Sequence, residues 1–292
     1  MFFKEYVKRF QKQLLNKIEW SNCAILLDNS VLCSSELGIS NNKYCDAKII
    51  VSLTTYGQRL YSVYLTIESL MRQTMKPNKI ILWLSEDLKD VELPQALQKQ
   101  QLRGLEIGYC KDIRSYKKLI PTLRCFPDDI IITADDDLIY KIDMVEKLVT
   151  AYLKEPSLIY FNRGHRIKLK LNGRPDKYLK WYWRIQDENV SPLNFPTTGG
   201  GTLFPPHCFN EEVFNERVFM DICSYADDIW FKAMALYNGV LSRKVYTHDP
   251  GGEDYIENIN VQNKSLSCTN YWRNDEQLFA VFEKYSLYKY CQ

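Results

Sequence analysis

Between residues 47 and 133, short apolar runs rich in β-branched residues alternate with stretches of helical spacing. Residues 48–53 (KIIVSL), 79–84 (KIILWL), 105–109 and 129–133 (DIIIT) read as buried strands. Between them, residues 60–73 place Leu60, Val63, Tyr64, Ile67 and Leu70 on one helical face, and residues 94–103 and 115–123 follow the same period. Strand and helix in turn predict an α/β fold: a mostly parallel sheet with helices on both faces, whose ligands gather beyond the carboxyl ends of the strands. The second half is less regular. Residues 144–154 and 227–238 read as helices, 157–161 as a strand, and 168–171 with 178–183 as a hairpin.

Ahead of this series, residues 1–20 set Phe3, Tyr6, Val7, Phe10, Leu14 and Ile18 three or four apart, with Lys4, Lys8, Lys12 and Lys17 on other faces. The pattern predicts an amphipathic basic helix. Its charge, five basic less two acidic or +3, exceeds the 38 − 36 = +2 of the whole chain. That asymmetry favours a peripheral contact with an anionic membrane, although packing on protein would need the same amphipathicity. Residues 28–46 are polar and turn-rich and read as a linker.

With 46% hydrophobic and 25% charged residues, the 292-residue chain can bury a full core. Its balanced charge, without a run of five like charges, gives no support for nucleic-acid binding. No apolar run approaches the roughly 20 residues that cross a bilayer. Nine cysteines with no CxxC pair argue against zinc and suit reduced thiols, so the expected location is cytoplasmic, at most peripheral on the inner membrane face.

The strongest chemical signal is Asp135, Asp136 and Asp137, directly after an apolar strand. Three carboxylates at a strand end repel one another, which suits a hard cation, Mn²⁺ or Mg²⁺, that can also bridge phosphate oxygens; the plain alternative is a solvated acidic turn. The run Thr198, Gly199, Gly200, Gly201, Thr202 lacks the Gly-Lys-Ser/Thr of a P-loop, but lets backbone approach a ligand closely. Asp227 and Asp228 open a helix, where carboxylates also suit the dipole. Trp181, Tyr182, Trp183 and Arg184 form an aromatic cluster fit for stacking a sugar or for filling a core.

Residues 133–137 after their strand resemble the DXD motif of nucleotide-sugar glycosyltransferases of the GT-A (Rossmann-like) fold, particularly family 2-like bacterial enzymes, with some similarity to exostosin-like transferases. Further matches fall in order: residues 51–56 (VSLTTY), then Glu68, Ser69, Leu70 and Gln73, then residues 112–121 (DIRSYKKLIP). The resemblance covers roughly residues 47–250 and is more specific than any DXD match alone. It implies a helix and linker over 1–46 and a glycosyltransferase domain over 47–292, with a nucleotide-binding half (47–137) and an acceptor-binding half (138–292).

The resemblance also implies roles. Asp135 would meet the ribose and Asp137 the metal, with Asp136 in the same donor site. Thr54, Tyr56 and Arg59 would surround uracil and ribose, Asp112 would open the segment that meets the nucleotide, and Lys118 would lie near the diphosphate. Lys118 is preferred to Lys117 because a helix from Ser115 points only one of them inward. Gly200 and Gly201 would border the donor sugar, and His248 would be a late metal ligand. Family enzymes often carry Glu-Asp where this chain has Asp227 and Asp228, and the second acid would be the base. The implied reaction moves a sugar from a UDP-sugar to a hydroxyl of a surface glycan or lipid-linked oligosaccharide, with inversion if Asp228 activates the acceptor directly, whereas exostosin-like enzymes retain configuration with a similar acidic pair. Two rivals are a sugar-phosphate nucleotidyltransferase, which usually has a basic Gly-rich loop where this chain has Thr54, Thr55, Tyr56, Gly57, Gln58 and Arg59, and a non-catalytic glycan-binding protein on the same scaffold.

Overall fold

The computed structural model describes residues 2–258, 260 and 267–291, and the side chains of these from residue 15 onward except 267–272. Helix α1 (Phe2–Cys33) precedes an alternating series: β1 (Ile49–Thr54), α2 (Val63–Met71), β2 (Lys79–Ser85), α3 (Gln95–Gln101), β3 (Leu105–Cys110), α4 (Ile120–Cys125) and β4 (Ile130–Thr133). The second half runs β5 (Leu138–Tyr140), α5 (Met144–Lys154), β6 (Ile159–Phe161), β7 (Gly164–Arg166), β8 (Asn194–Pro196), β9 (Thr202–Phe204), α6 (Glu216–Ile222), α7 (Asp227–Tyr237), β10 (Ser242–Lys244), β11 (Tyr255–Glu257) and α8 (Ser267–Lys284).

Seven strands form the main sheet in the order β10-β6-β9-β4-β1-β2-β3. β1 lies parallel to β2 and β4, with Ile50 opposite Lys79 and Ile49 opposite Ile130. Only β9 is reversed, antiparallel to both β4 and β6. Parallel central strands are covered on both faces, which is why their sequences are continuously apolar. Ile49, Val51 and Leu53 pack with Ile67 of α2, Leu97 of α3 and Leu148 of α5. On the other face Ile131, Ile159 and Phe204 pack with Ile229 and Met234 of α7 and Leu278 and Phe282 of α8. The α/β architecture with helices on both faces is therefore the one the alternation predicts.

Three local expectations need correction. Residues 28–33 continue α1 and are not linker. Leu27 packs with Leu65 of α2 and Ile139 of β5, flanked by Trp20, Cys23 and Ala24. The polar residues that suggest a loop are anchored on this docked stretch: Tyr64 donates to Asp28 Oδ1 (2.9 Å), and Ser30 Oγ donates to Glu68 Oε1 (2.7 Å). Glu68 is itself buried against Arg103 (2.8 Å). The side chains of Phe3, Tyr6, Val7, Phe10 and Leu14 lie outside the described residues, while Leu15 and Ile18 are exposed. Among the described residues no helix is long and apolar enough to cross a membrane.

Residues 168–171 and 178–183 do not pair as a hairpin; each bridges elsewhere at a single point, Leu169 with Pro175 and Tyr182 with Arg166. Tyr178 and Trp181 turn inward three residues apart around a 3₁₀ turn, so the apolar spacing is not that of a strand. The antiparallel pair here is β7 with β8, His165 opposite Phe195. The expected helix over 115–123 is split into a 3₁₀ turn, Arg114–Lys118, and α4, which takes Pro121 in its first turn.

Candidate active site

A cavity of about 540 Å³ opens beyond the carboxyl ends of β1 and β4 and reaches the amino end of α7. Thr54, Tyr56, Arg59, Asp112, Lys118, Asp135, Asp136, Asp137, Gly200, Asp227 and Asp228 all line it. Gly201 and His248 are not part of that lining.

The three acids after β4 have different surroundings. Asp136 turns inward: its Oδ2 accepts from Thr55 Oγ1 (2.6 Å), its Oδ1 from Arg59 Nη1 (2.7 Å), and its carbonyl from Thr66 Oγ1 (3.1 Å). Asp137 is buried with one oxygen 3.2 Å from Arg59 Nη2. Burial and the nearby Asp135 carboxylate, with smaller contributions from Asp136 and Glu257, push its pKa up to about 7 against the pull of Arg59. Asp135 is more open and is met by Lys118 Nζ at 2.8 Å.

Arg59, with Lys118 shared between Asp135 and Asp227, thus fails to balance the negative charge here, and a hard cation would complete the balance. Among the described residues no group of three or more His, Cys, Asp or Glu side chains forms a ready metal cage. An ion of the Mg²⁺ type commonly takes one or two carboxylates and draws its other ligands from phosphate and water, so Asp135 and Asp137 are a sufficient protein share.

His248 is not brought to this motif. Its ring is exposed, with Nε2 2.9 Å from Asp143 Oδ2. Asp254 gathers the backbone N–H groups of His248 (2.8 Å) and Asp249 (2.7 Å), and the chain then returns as β11, antiparallel to β5 with Glu257 opposite Leu138. The late residue delivered beside Asp137 is therefore Glu257, which lines the cavity. No motif marks it in the sequence.

Lys118 joins the two ends of the acidic arrangement. Its Nζ stands 2.8 Å from Asp135 Oδ1 and 3.1 Å from Asp227 Oδ2. Burial opposes its charge, but Asp135, Asp227 and Asp228 outweigh that and raise its pKa. Lys117 is buried as well, paired with Asp112, because the 3₁₀ turn directs both lysines inward. Asp112 Oδ1 also accepts the Arg114 N–H (3.0 Å), and these bonds hold its pKa below the usual range against burial.

At the amino end of α7, Asp227 is buried and Asp228 half-buried. Asp228 Oδ1 accepts both the backbone N–H (2.9 Å) and the hydroxyl (2.5 Å) of Thr198. Burial and the adjacent Asp227 carboxylate push its pKa up to about 6, against Lys118 and Thr198. The same contact fixes the glycine turn. A Cβ at Gly199 would come within 1.8 Å of Asp135 Oδ2, and the Gly199 carbonyl accepts from Tyr140 OH (2.5 Å). Gly201, expected at the donor sugar, instead serves the turn into β9: its φ is +91° and a Cβ would lie 2.7 Å from Asn162 Nδ2.

Thr54 is anchored through Oγ1 to the Trp83 carbonyl (2.8 Å), and the half-exposed Tyr56 ring has the Arg59 guanidinium 5.5 Å from its centroid. Arg163, His165, Tyr178, Trp183, Phe195, Tyr255 and Asn274 also line the cavity. Of these, only Trp183 stands out in the sequence, in the aromatic run 181–184. Its neighbour Trp181 belongs to the core.

No family profile matches the chain, and no curated protein aligns with it significantly. Among solved structures it is similar to the mannosyltransferase PcManGT from Pyrobaculum calidifontis, solved with GDP-Man and Mn²⁺: 14% identity over 93% of this chain and 74% of that one, TM-score 0.50. Residues 1-349 of S. aureus TarS match with 17% identity over 69% of this chain and 58% of that one, TM-score 0.43; a second TarS structure, with UDP, matches at 18% identity, the same coverage and TM-score 0.42. The chain has the GT-A-like α/β fold of the mannosyltransferase.

Proposed function

We propose that the chain is a glycosyltransferase that moves a sugar from a nucleoside-diphosphate sugar, a UDP-sugar in the first instance, to a hydroxyl of a surface glycan or lipid-linked oligosaccharide. The observation that carries this reading is a single cavity with Asp135 and Asp137 at the strand ends, Asp227 and Asp228 at a helix start, and Lys118 ion-paired to one acid of each group. Such a layout suits a donor whose diphosphate needs positive charge and an acceptor whose hydroxyl needs a base. The similar mannosyltransferase, solved with GDP-Man and Mn²⁺, supports the same class of donor and cation.

Asp228 is the base in this reading. Its Oδ1 is held by Thr198 and its pKa is raised to about 6, so near neutrality it is ionised yet basic enough to take a proton. It removes the acceptor hydroxyl proton as that oxygen bonds to the anomeric carbon. The bond from this carbon to the diphosphate oxygen breaks on the opposite face, so the configuration inverts. Lys118 offsets charge on the departing diphosphate, and Tyr56, Thr54 and Asp112 receive the nucleoside. A divalent cation held by Asp135 and Asp137 would add electrostatic stabilisation of the diphosphate. The basic residues of 1–20 support a peripheral site on the cytoplasmic membrane face, where lipid-linked acceptors lie.

The test is release of free nucleotide from a panel of UDP- and GDP-sugars, with Mn²⁺, Mg²⁺ or chelator, with and without glycan acceptors. Cation-dependent, acceptor-stimulated release is expected; none from any donor would refute the reading. Co-sedimentation with anionic and neutral vesicles at two salt concentrations tests the membrane site, and equal binding to both kinds would exclude it.

A further inference from the structure

One wall of the cavity carries polar atoms that the proposed reaction does not use. His165 on β7 is 1% exposed and is surrounded by rings: Trp183 with centroids 4.4 Å apart, Tyr178 at 5.9 Å and Phe195 at 6.4 Å. Its Nδ1 accepts the backbone N–H of Arg184 at 3.1 Å. A backbone amide can only donate, so Nδ1 carries the lone pair and the ring proton of the neutral imidazole sits on Nε2. Burial, aided by the charges of Arg163 and Arg184, pushes the pKa down to about 3, so the ring is neutral throughout the working range.

That Nε2–H is buried and has no hydrogen-bond partner. Asn274 Oδ1, on α8, is likewise buried without a partner, and both residues line the cavity. Tyr178 links their two segments: its ring packs edge-on to His165, and its backbone N–H donates to the side chain of Asp275 (2.6 Å), the residue after Asn274 on α8. A buried donor and a buried acceptor left unpaired each destabilise the protein, and a ligand that pairs them removes that penalty.

We infer that His165 Nε2–H, with Asn274 Oδ1 and the Trp183 and Tyr178 rings, forms a recognition box for an uncharged pyranose ring. A hydroxyl both donates and accepts, which matches one free donor and one free acceptor, while the sugar's C–H face suits the aromatic walls. His165 is a specificity residue here and takes no part in proton transfer. The inference deepens the glycosyltransferase reading, on which it rests for the identity of the ring: the acceptor sugar or the sugar of the donor.

Two variants isolate the Nε2–H group. In His165→Asn the shorter amide keeps an acceptor for Arg184 and removes the distal donor; in His165→Gln the longer amide returns a donor at about the reach of Nε2. Binding would be measured by tryptophan fluorescence and calorimetry with Mn²⁺, using methyl glycosides of glucose, galactose, mannose and N-acetylglucosamine, and comparing UDP with UDP-glucose and GDP with GDP-mannose.

In His165→Asn we expect about a tenfold loss of affinity for a methyl glycoside, if the box holds the acceptor, or of the affinity a nucleotide sugar has beyond its free nucleotide, if it holds the donor sugar. Free nucleotide binding and the melting temperature stay level, and His165→Gln recovers most of the loss. Wild-type sugar affinities in His165→Asn would overturn the box, as would an equal loss for free nucleotide or no sugar binding by the wild type. If glycosides bind and weaken in His165→Asn while neither UDP nor GDP binds, the box stands and the glycosyltransferase reading falls.

Discussion

The acids at the two ends of the cavity are both held by a buried cation, but in different ways. Beyond β4, Arg59 grips Asp136 and Asp137 together, and Thr55 occupies the other oxygen of Asp136. At α7, Lys118 takes Asp227 and leaves Asp228 to the neutral donors of Thr198. Both oxygens of Asp136 are taken by Thr55 and Arg59, and burial still raises its pKa; burial and a neighbouring carboxylate raise those of Asp137 and Asp228 to about 7 and about 6. Adjacent carboxylates in one motif therefore differ in their surroundings: Asp136 is bound on both oxygens by Thr55 and Arg59, while Asp137 shares that arginine and feels the charges of Asp135 and Glu257. The difference lies in which side chains reach them, not in their spacing along the chain.

The sharpest way to break this comparison is Asp228→Asn. If the half-engaged acid is the base, single-turnover transfer slows about 10²- to 10⁴-fold while donor affinity and melting temperature hardly change. Near-normal transfer would reassign the role to Asp227. Asp137→Ala comes next: the Mn²⁺-dependent part of UDP affinity, on the order of 10²-fold, should vanish in calorimetry, with stability level because a crowded charge has been removed. Asp136→Ala should behave oppositely, with a loss of about 1–3 kcal/mol in denaturant unfolding because Thr55 and much of Arg59 lose their partner. If Asp136 and Asp137 respond alike, the division between them is wrong.

The smallest effect is in the pH profile. A base must be ionised, so with saturating Mn²⁺ to keep Asp137 deprotonated, kcat/KM should fall about tenfold per unit below a pH of about 6, the raised pKa of Asp228. This limb should be absent in Asp228→Asn, and its survival there would assign it to another group.

Much of this was legible in the chain because the signals are local. The apolar runs of β1, β2 and β4 announce buried parallel strands, and an acidic triplet straight after β4 marks a ligand edge. Misreadings arose where distant contacts decide. Asp28 and Ser30 look like linker residues until Tyr64 and Glu68 bond them. β9 is three residues long and gains its place only between β4 and β6. His248 resembles a late metal ligand, yet Asp254 folds the following loop so that Glu257 arrives instead. Which oxygen of an acid remains available is likewise a tertiary property, absent from any spacing rule.

The contact between Gly199 and Asp135 sets how the chain tolerates change. Even an added methyl group would collide with the carboxylate, so saturation mutagenesis at this position should return glycine alone among active clones. Gly57 makes a useful contrast: its φ is +55° but nothing lies within 4 Å of an added Cβ, so asparagine or aspartate should survive there. Gly199 in the cavity wall and Gly57, next in the chain to the cavity-lining Tyr56, would thus give opposite tolerance profiles, one dictated by an acid across the turn and the other by backbone preference alone.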